Sequence, residues 1–239
     1  MDISIVIPVY NEEKNLPVLH KQIRVVFDSL NRDYEIIYID DGSTDNSFRI
    51  LNEIALEDNR VRLISFDKNY GQTSALEAGI CNAKGDFILT VDADLAYDIG
   101  DLMRILRELK DSDVVIGYRS NRKNADGYIK FISSKIANYA RNKILKENFR
   151  DVGCFLRGFR KGCLNKLVLY KGFQVFIISL LGIAGYRIKE IEVKVRPRRY
   201  GKSKYNIRNR LFKEAVALFI VKWMQTNLLR YKIKYCNKI

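Results

Sequence analysis

The stretch from Ile3 to Ser43 reads ISIVIPVYNEEKNLPVLHKQIRVVFDSLNRDYEIIYIDDGS, and it decides the fold. Ile3–Val9 is a β-branched run of the kind that forms a strand covered on both faces. Within Glu12–Leu30, the residues Leu16, Leu19, Ile23, Phe27 and Leu30 recur at helical spacing. Tyr34–Ile39 is a second apolar run, ended by Asp40-Asp41-Gly42-Ser43. Strand, helix and strand in succession make a parallel crossover unit, because a parallel pair needs a long connection.

The same alternation continues outward. Ser43 or Thr44 caps a helix over Asn46–Leu56; a strand follows over Val61–Phe66, a helix over Thr73–Ala83 and a strand over Asp86–Val91. Asp101–Leu109 reads as a helix and Val114–Tyr118 as a fifth strand. The expectation is an α/β fold: a mostly parallel central sheet with helices on both faces. Beyond Tyr118 the pattern changes. Residues 127–146 read as an amphipathic helix, Tyr186–Val195 as a half-exposed strand, Arg196–Arg210 as a basic loop and Leu211–Tyr231 as a last amphipathic helix. The expected organisation is one domain over residues 1–206 and a basic helical segment over 207–239.

Apolar residues form 47% of the 239, enough for one sizeable core. The formal net charge is +14, and it is uneven. Residues 187–239 hold 16 Lys and Arg against 3 Asp and Glu, whereas residues 1–186 are near neutral. That excess calls for an anionic partner: phosphates, nucleic acid or a membrane surface. Four scattered cysteines and a single histidine, His20, exclude a zinc module and a disulfide scaffold, and fit a reducing compartment. The start of the chain lacks the basic flank of a secretory signal, and no apolar run reaches the length of a membrane span. His20 reads as a surface or cap residue and the cysteines as small buried hydrophobes.

In an open parallel sheet, ligands bind beyond the carboxyl ends of the strands. Those ends carry Pro8-Val9-Tyr10-Asn11-Glu12, then Asp40 to Asp45, then Asp92-Ala93-Asp94, then Gly117-Tyr118-Arg119. Acidic groups gathered on one edge repel unless a cation lies between them. Two carboxylates at i and i+2 can share one hard cation that keeps positions open for diphosphate oxygens. Alone, Asp-x-Asp is as easily a solvated turn, and Asp40–Ser43 a turn with a helix cap. Neither G-x-G-x-x-G nor G-x-x-x-x-G-K occurs, which argues against a dinucleotide enzyme and a P-loop NTPase. The loop bearing Arg196, Arg198, Arg199, Lys202 and Lys204 offers five cations around Gly201; a solvated loop has the same composition.

Four segments occur in order: Ser4–Glu13 (SIVIPVYNEE), Asp40–Asp45 (DDGSTD), Asn69–Ala78 (NYGQTSALEA) and Asp92–Leu95 (DADL). Together they resemble the family 2 glycosyltransferases of the GT-A fold. Gly117–Arg119, Asp151–Arg157 (DVGCFLR) and Arg198–Tyr205 (RRYGKSKY) are similar to the polyprenyl-phosphate branch of that family, typified by dolichyl-phosphate mannose synthase. The resemblance covers residues 3–206 and implies roles. Pro8, Tyr10, Glu12, Tyr38 and Asp40 fall where the family holds the nucleoside, and Asp92 and Asp94, with the Ala93 backbone, where it holds Mg²⁺ or Mn²⁺. Arg119, Arg198 and Lys204 fall where diphosphate and acceptor phosphate are met, and Ser134 matches a serine of the same acceptor region. Lys130 stands where relatives have Arg and cannot offer its bidentate fork, and Ala96 stands where a third metal-side residue is common.

What the resemblance implies is inverting transfer of a sugar from a nucleotide-sugar (GDP-mannose or UDP-hexose type) to a polyprenyl phosphate. That places the enzyme at the cytosolic face of a membrane, held peripherally or by a small membrane subunit. Gly172–Tyr186 would then be a partly buried helix facing lipid, and the last helix a membrane-interface or partner-binding element. Two other readings stay open. Transfer to a glycan or polysaccharide hydroxyl needs a base, for which Asp151 is the candidate. A basic membrane or nucleic-acid binding module with a degenerate site would leave Asp92 and Asp94 without a role; no nucleic-acid motif accompanies the charge, so nucleic acid is not expected as a partner.

Overall fold

The computed structural model describes residues 1–30, 32–120, 128–165, 167–196 and 207–228. Its centre is a seven-stranded sheet in the order β3-β2-β1-β4-β6-β5-β7. The strands are β1 (Ile3–Val9), β2 (Tyr34–Asp40), β3 (Val61–Ser65), β4 (Phe87–Thr90), β5 (Val114–Arg119), β6 (Arg157–Arg160) and β7 (Ile188–Val193). The first four are mutually parallel, β5 is parallel to β7, and β6 runs antiparallel between β4 and β5. The helices are α1 (Leu16–Phe27), α2 (Ser47–Glu57), α3 (Gln72–Asn82), α4 (Gly100–Glu108), α5 (Tyr128–Leu145), α6 (Ile177–Ile183) and α7 (Ile207–Thr226).

Helices cover both faces because consecutive strand residues point opposite ways. On β2, Tyr34 and Tyr38 face α1: Phe27 meets the Tyr34 ring with centroids 5.5 Å apart, and Tyr38 meets His20. Ile39 faces the other way, onto α3, where Gly79 lets the backbone approach Val6 and Ile39. Every residue of β2 is buried in consequence.

One strand was not legible in the sequence. β6 reads Arg-Gly-Phe-Arg and carries two charges in four residues. It is nevertheless in the sheet interior, because Arg157 finds three backbone carbonyl acceptors there and Gly158 leaves room for α4. A Cβ at Gly158 would lie 2.3 Å from Ile105 Cγ2 and 2.9 Å from Leu109 Cδ1.

The expected lipid-facing helix over 172–186 is a short 3₁₀ turn, Phe173–Val175, followed by the seven-residue α6. Gly172 and Gly185, at φ +88° and +92°, bound it at both ends. Its Ile177, Ile178, Ser179 and Leu181 are buried, so most of α6 faces the main core rather than lipid. A second, smaller core joins Leu145 of α5, Phe173 and Phe176 to Ala217, Leu218 and Val221 of α7. The outer side of α7 leaves Val216, Phe219, Ile220 and Trp223 exposed. No helix among the described residues is long and apolar enough to cross a membrane.

Gly158→Val forces a branched side chain into α4 and is expected to lower stability by about 1–3 kcal/mol. Equilibrium urea unfolding of the two proteins measures it.

Candidate active site

The sheet order reverses beside β1: successive strands are laid down to β3 on one side, and β4 returns on the other. A crevice forms at such a switch point. The β1–β4 ladder ends at Val6 and Thr90, whereas β1 stays paired with β2 as far as Val9 and Asp40. Pro8 therefore lies beyond the β4 ladder, where its missing N–H breaks no pairing with that strand.

The loops after β1 and β2 are laced together. Asn11 takes a left-handed conformation at φ +54°, which its short polar side chain tolerates. Its Oδ1 accepts from the Thr44 amide at 2.7 Å, and its own amide donates to Ser43 Oγ at 2.9 Å. The Glu12 amide donates to Ser47 Oγ at 2.8 Å, and Glu12 Oε2 accepts from Asn15 Nδ2 at 2.5 Å. Gly42 is required twice: φ is +66°, and a Cβ would lie 2.4 Å from the Lys68 carbonyl carbon.

The paired aspartates of this loop divide their work. Asp40 is buried at the end of β2 and accepts from Ser65 Oγ at 3.2 Å and the Ser43 amide at 3.3 Å. Asp41 pins the loop before α3, accepting from the Tyr70 amide at 2.7 Å, the Gly71 amide at 2.9 Å and Asn69 Nδ2 at 3.0 Å. Burial pushes the Asp41 carboxyl up, and the Tyr70 and Gly71 amides offset part of that rise.

Asp92 and Asp94 follow β4. Asp92 Oδ1 accepts from Gln72 Nε2 of α3 at 2.8 Å. Asp94 is buried and accepts from the Ala96 amide at 3.1 Å, across a turn in which Leu95 stands at φ +59°. Ala93 between them is buried. Their donor set is all oxygen, which suits a hard cation. Among the described residues no three His, Cys, Asp or Glu groups cluster as metal ligands. The pair fits Mg²⁺ or Mn²⁺ if donor phosphates and water complete the shell, and Asp92 and Asp94 would hold it.

Arg119 ends β5 and meets Asp151 in a two-pronged ion pair: Nε to Oδ2 at 2.6 Å and Nη2 to Oδ1 at 2.9 Å. Both side chains are about one-tenth exposed, at 12% and 11%. Burial disfavours the Arg119 cation, but the Asp151 carboxylate, together with the neighbouring Tyr97 and Cys154, more than offsets it, so the guanidinium is held above its ordinary pKa. Tyr97 closes the floor; its Oη accepts from the Phe155 amide at 3.3 Å, and burial raises its phenol well above the ordinary value.

The predicted residues thus separate. Pro8, Tyr10, Glu12, Asp40, Asp92, Ala93, Asp94 and Arg119 lie on or just beyond the carboxyl edges of β1, β2, β4 and β5. Tyr38 does not reach that edge: it is fully buried, and its hydroxyl is 3.4 Å from His20 Nδ1 under α1. His20 accordingly is no surface residue; burial lowers its pKa, and Nε2 is 3.6 Å from Asp58. Ser134 is half-buried on α5, Lys130 falls in the opening turn of that helix, and Arg198 and Lys204 lie outside the described residues. Cys154 and Cys163 are buried as expected, whereas Cys81 is exposed. Sequence reasoning missed Gln72, Gln174 and Arg157. Gln72 stood inside the quoted NYGQTSALEA segment, but an uncharged amide gives no signal until its partner is known.

The arrangement is shared with known structures. The glucosyl-3-phosphoglycerate synthase of Mycobacterium tuberculosis superposes with a TM-score of 0.67 at 17% identity, over 96% of this chain and 81% of that one. S. aureus TarS 1–349, solved with UDP, superposes with a TM-score of 0.61 at 18% identity, over 97% of this chain and 67% of that one. The fold is therefore GT-A. The profile described as glycosyl transferase family 2 matches residues 4–168, and the chain belongs to that family. It is 38% identical over 205 residues to the undecaprenyl-phosphate 4-deoxy-4-formamido-L-arabinose transferase of Proteus mirabilis (strain HI4320), and 35% identical over 207 residues to the enzyme of that name from Aeromonas hydrophila. These matches take in 85% and 86% of this chain but 63% of each relative's length.

Asp151→Asn removes one partner of the buried pair and is expected to cost about 3 kcal/mol of stability. The double-mutant cycle with Arg119→Met, read by urea unfolding, separates the pair's coupling from the loss of either side chain.

Proposed function

We propose that this chain transfers a sugar from a nucleotide-sugar to a polyprenyl phosphate at a membrane surface. The observation that carries the reading is the occupied state of Asp151. A carboxylate that accepts two charge-assisted hydrogen bonds from one guanidinium is poorly placed to take a proton. A hydroxyl acceptor needs such a base. A phosphate does not: its second pKa is about 6, so its oxygen is already largely ionised at neutral pH. What it needs is positive charge, for which Lys130, Arg198 and Lys204 are proposed, with Ser134 as a hydrogen-bond donor and Arg119 contributing only the charge that its pair with Asp151 does not neutralise. The names of the Proteus and Aeromonas relatives, both undecaprenyl-phosphate transferases, support the same acceptor class.

On the donor side, Pro8, Tyr10, Glu12 and Asp40 would receive the nucleoside, and Asp92 and Asp94 would face its diphosphate. A phosphate oxygen of the acceptor attacks the anomeric carbon as the bond to the diphosphate breaks, and the nucleoside diphosphate leaves with the electron pair, inverting that centre. A divalent cation bound by Asp92 and Asp94 supplies charge neutralisation for the leaving diphosphate. Solved structures of the M. tuberculosis synthase hold Mn²⁺ with UDP, which supports such a requirement.

The outer side of α7 supports a peripheral seat on the membrane. Trp223, Phe219 and their neighbours are exposed there, in the segment that carries most of the positive charge. Aromatic groups with flanking cations suit an anionic leaflet. A small membrane subunit covering the same side is the alternative occupant.

The test is a transfer assay with undecaprenyl or dolichyl phosphate in detergent, Mg²⁺ or Mn²⁺, and a panel of UDP- and GDP-linked sugars that includes 4-deoxy-4-formamido-L-arabinose. A lipid-linked product is expected, and Asp92→Asn or Asp94→Asn should slow it by about 10²–10³-fold. Product on a glycan hydroxyl instead would overturn the acceptor, and absence of donor binding would overturn the transferase reading. In a second experiment, the protein should sediment with vesicles rich in anionic lipid. Phe219→Ser with Trp223→Ser should abolish that sedimentation; retention by the double variant would refute the α7 seat.

A further inference from the structure

Asp92 is gripped from outside the donor cleft. Gln72, the first residue of α3, is half-buried and gives its Nε2–H to Asp92 Oδ1 at 2.8 Å. A glutamine is a loose support unless the start of its helix is itself fixed, and α3 begins on Gly71 at φ +97°. The next residue fixes it. Thr73, 5% exposed, donates its hydroxyl to Gln174 Oε1 and accepts from the Gly172 amide at 3.1 Å. The main chain of Gln174 is fixed in turn: its carbonyl accepts from Arg157 Nη1 at 2.8 Å, and the same buried guanidinium holds the carbonyls of Cys154 and Val152 at 2.8 Å each.

We propose that Gln72, Thr73 and Gln174 are positioning residues that aim the Asp92 carboxylate at the divalent cation. The proposal rests on the donor-site reading above. A metal carboxylate held through one oxygen by an outer partner presents a defined direction to the ion, and such partners set much of the affinity. The relay runs Asp92, Gln72, Thr73, Gln174, Arg157, and then along the loop from Val152 to Asp151, the partner of Arg119. One set of hydrogen bonds thereby registers the cation side of the site against its phosphate side. None of the three proposed residues carries a charge, so none adds a counter-ion of its own.

The test is a Mn²⁺ titration of the full chain, with UDP or GDP present, read by the electron paramagnetic resonance of free Mn²⁺. Thr73→Val keeps the shape and removes both hydrogen bonds; it is expected to weaken Mn²⁺ binding about tenfold, and Thr73→Ser to restore it. Gln72→Leu should weaken it at least as much. Gln72 is only half-buried, so this variant carries the test if Thr73→Val fails to fold. Wild-type affinity in both Thr73→Val and Gln72→Leu, with or without a lower Tm, overturns the proposal. If the wild-type protein binds no Mn²⁺ with either nucleotide, the donor-site reading falls and this one with it; that result is distinct from equal binding by wild type and variants.

Discussion

The site depends on where two strands part. β1 and β4 are bonded from Ile3 and Phe87 to Val6 and Thr90, and then diverge. β1 keeps its bond to β2 for three more residues. The opening lets the chain after β4 turn within Asp92–Asp94 while Asp40 stays buried alongside. The place where Asp92 and Asp94 leave the sheet is thus a result of strand register. Leu95, at φ +59°, shows the strain accepted to make that turn.

A second constraint is the buried charge of Arg157. Burial pulls its pKa down, and taking a guanidinium out of water costs several kcal/mol. Three carbonyl acceptors offset that cost with charge-assisted hydrogen bonds. Those carbonyls come from Val152, Cys154 and Gln174, two segments that share no sheet ladder. Arg157 is therefore the cross-link between the loop that delivers Asp151 and the turn that leads into α6. Cys154, beside it, is a fully buried thiol whose pKa burial pushes up to about 11, so it stays protonated at neutral pH.

Much of this was legible in the sequence, and the failures have physical reasons. β1, β2, β4 and α3 were read correctly in place because both-face burial and helical spacing leave a strong pattern in apolar residues. β6 was invisible because its charged ends are satisfied by backbone carbonyls, some near in the chain and some far, which no pattern of apolar residues records. The helix expected over 172–186 failed because a 3₁₀ turn and a seven-residue helix, set between Gly172 and Gly185, look in one dimension like one longer run. Asp40, Asp92, Asp94 and Arg119 could be singled out because titratable groups at strand ends carry their own signal, and all four lie at the carboxyl edge of the sheet. Tyr38 precedes Asp40 by two residues and shares its face of β2, yet its side chain is buried against His20 rather than at the strand's end. Gln72 and Gln174 had no signal at all, since a neutral amide acquires meaning only from what it touches.

The described part of α7 carries apolar side chains on two sides. One side closes the small core around Phe173 and Phe176, and the other stands in water. The stability of this end of the molecule is therefore not a fixed number; it takes its value from whatever medium meets Phe219 and Trp223. Phe173 and Phe176 flank Gln174 and rest on α7, so the surroundings of the outer helix bear on the packing behind the cleft.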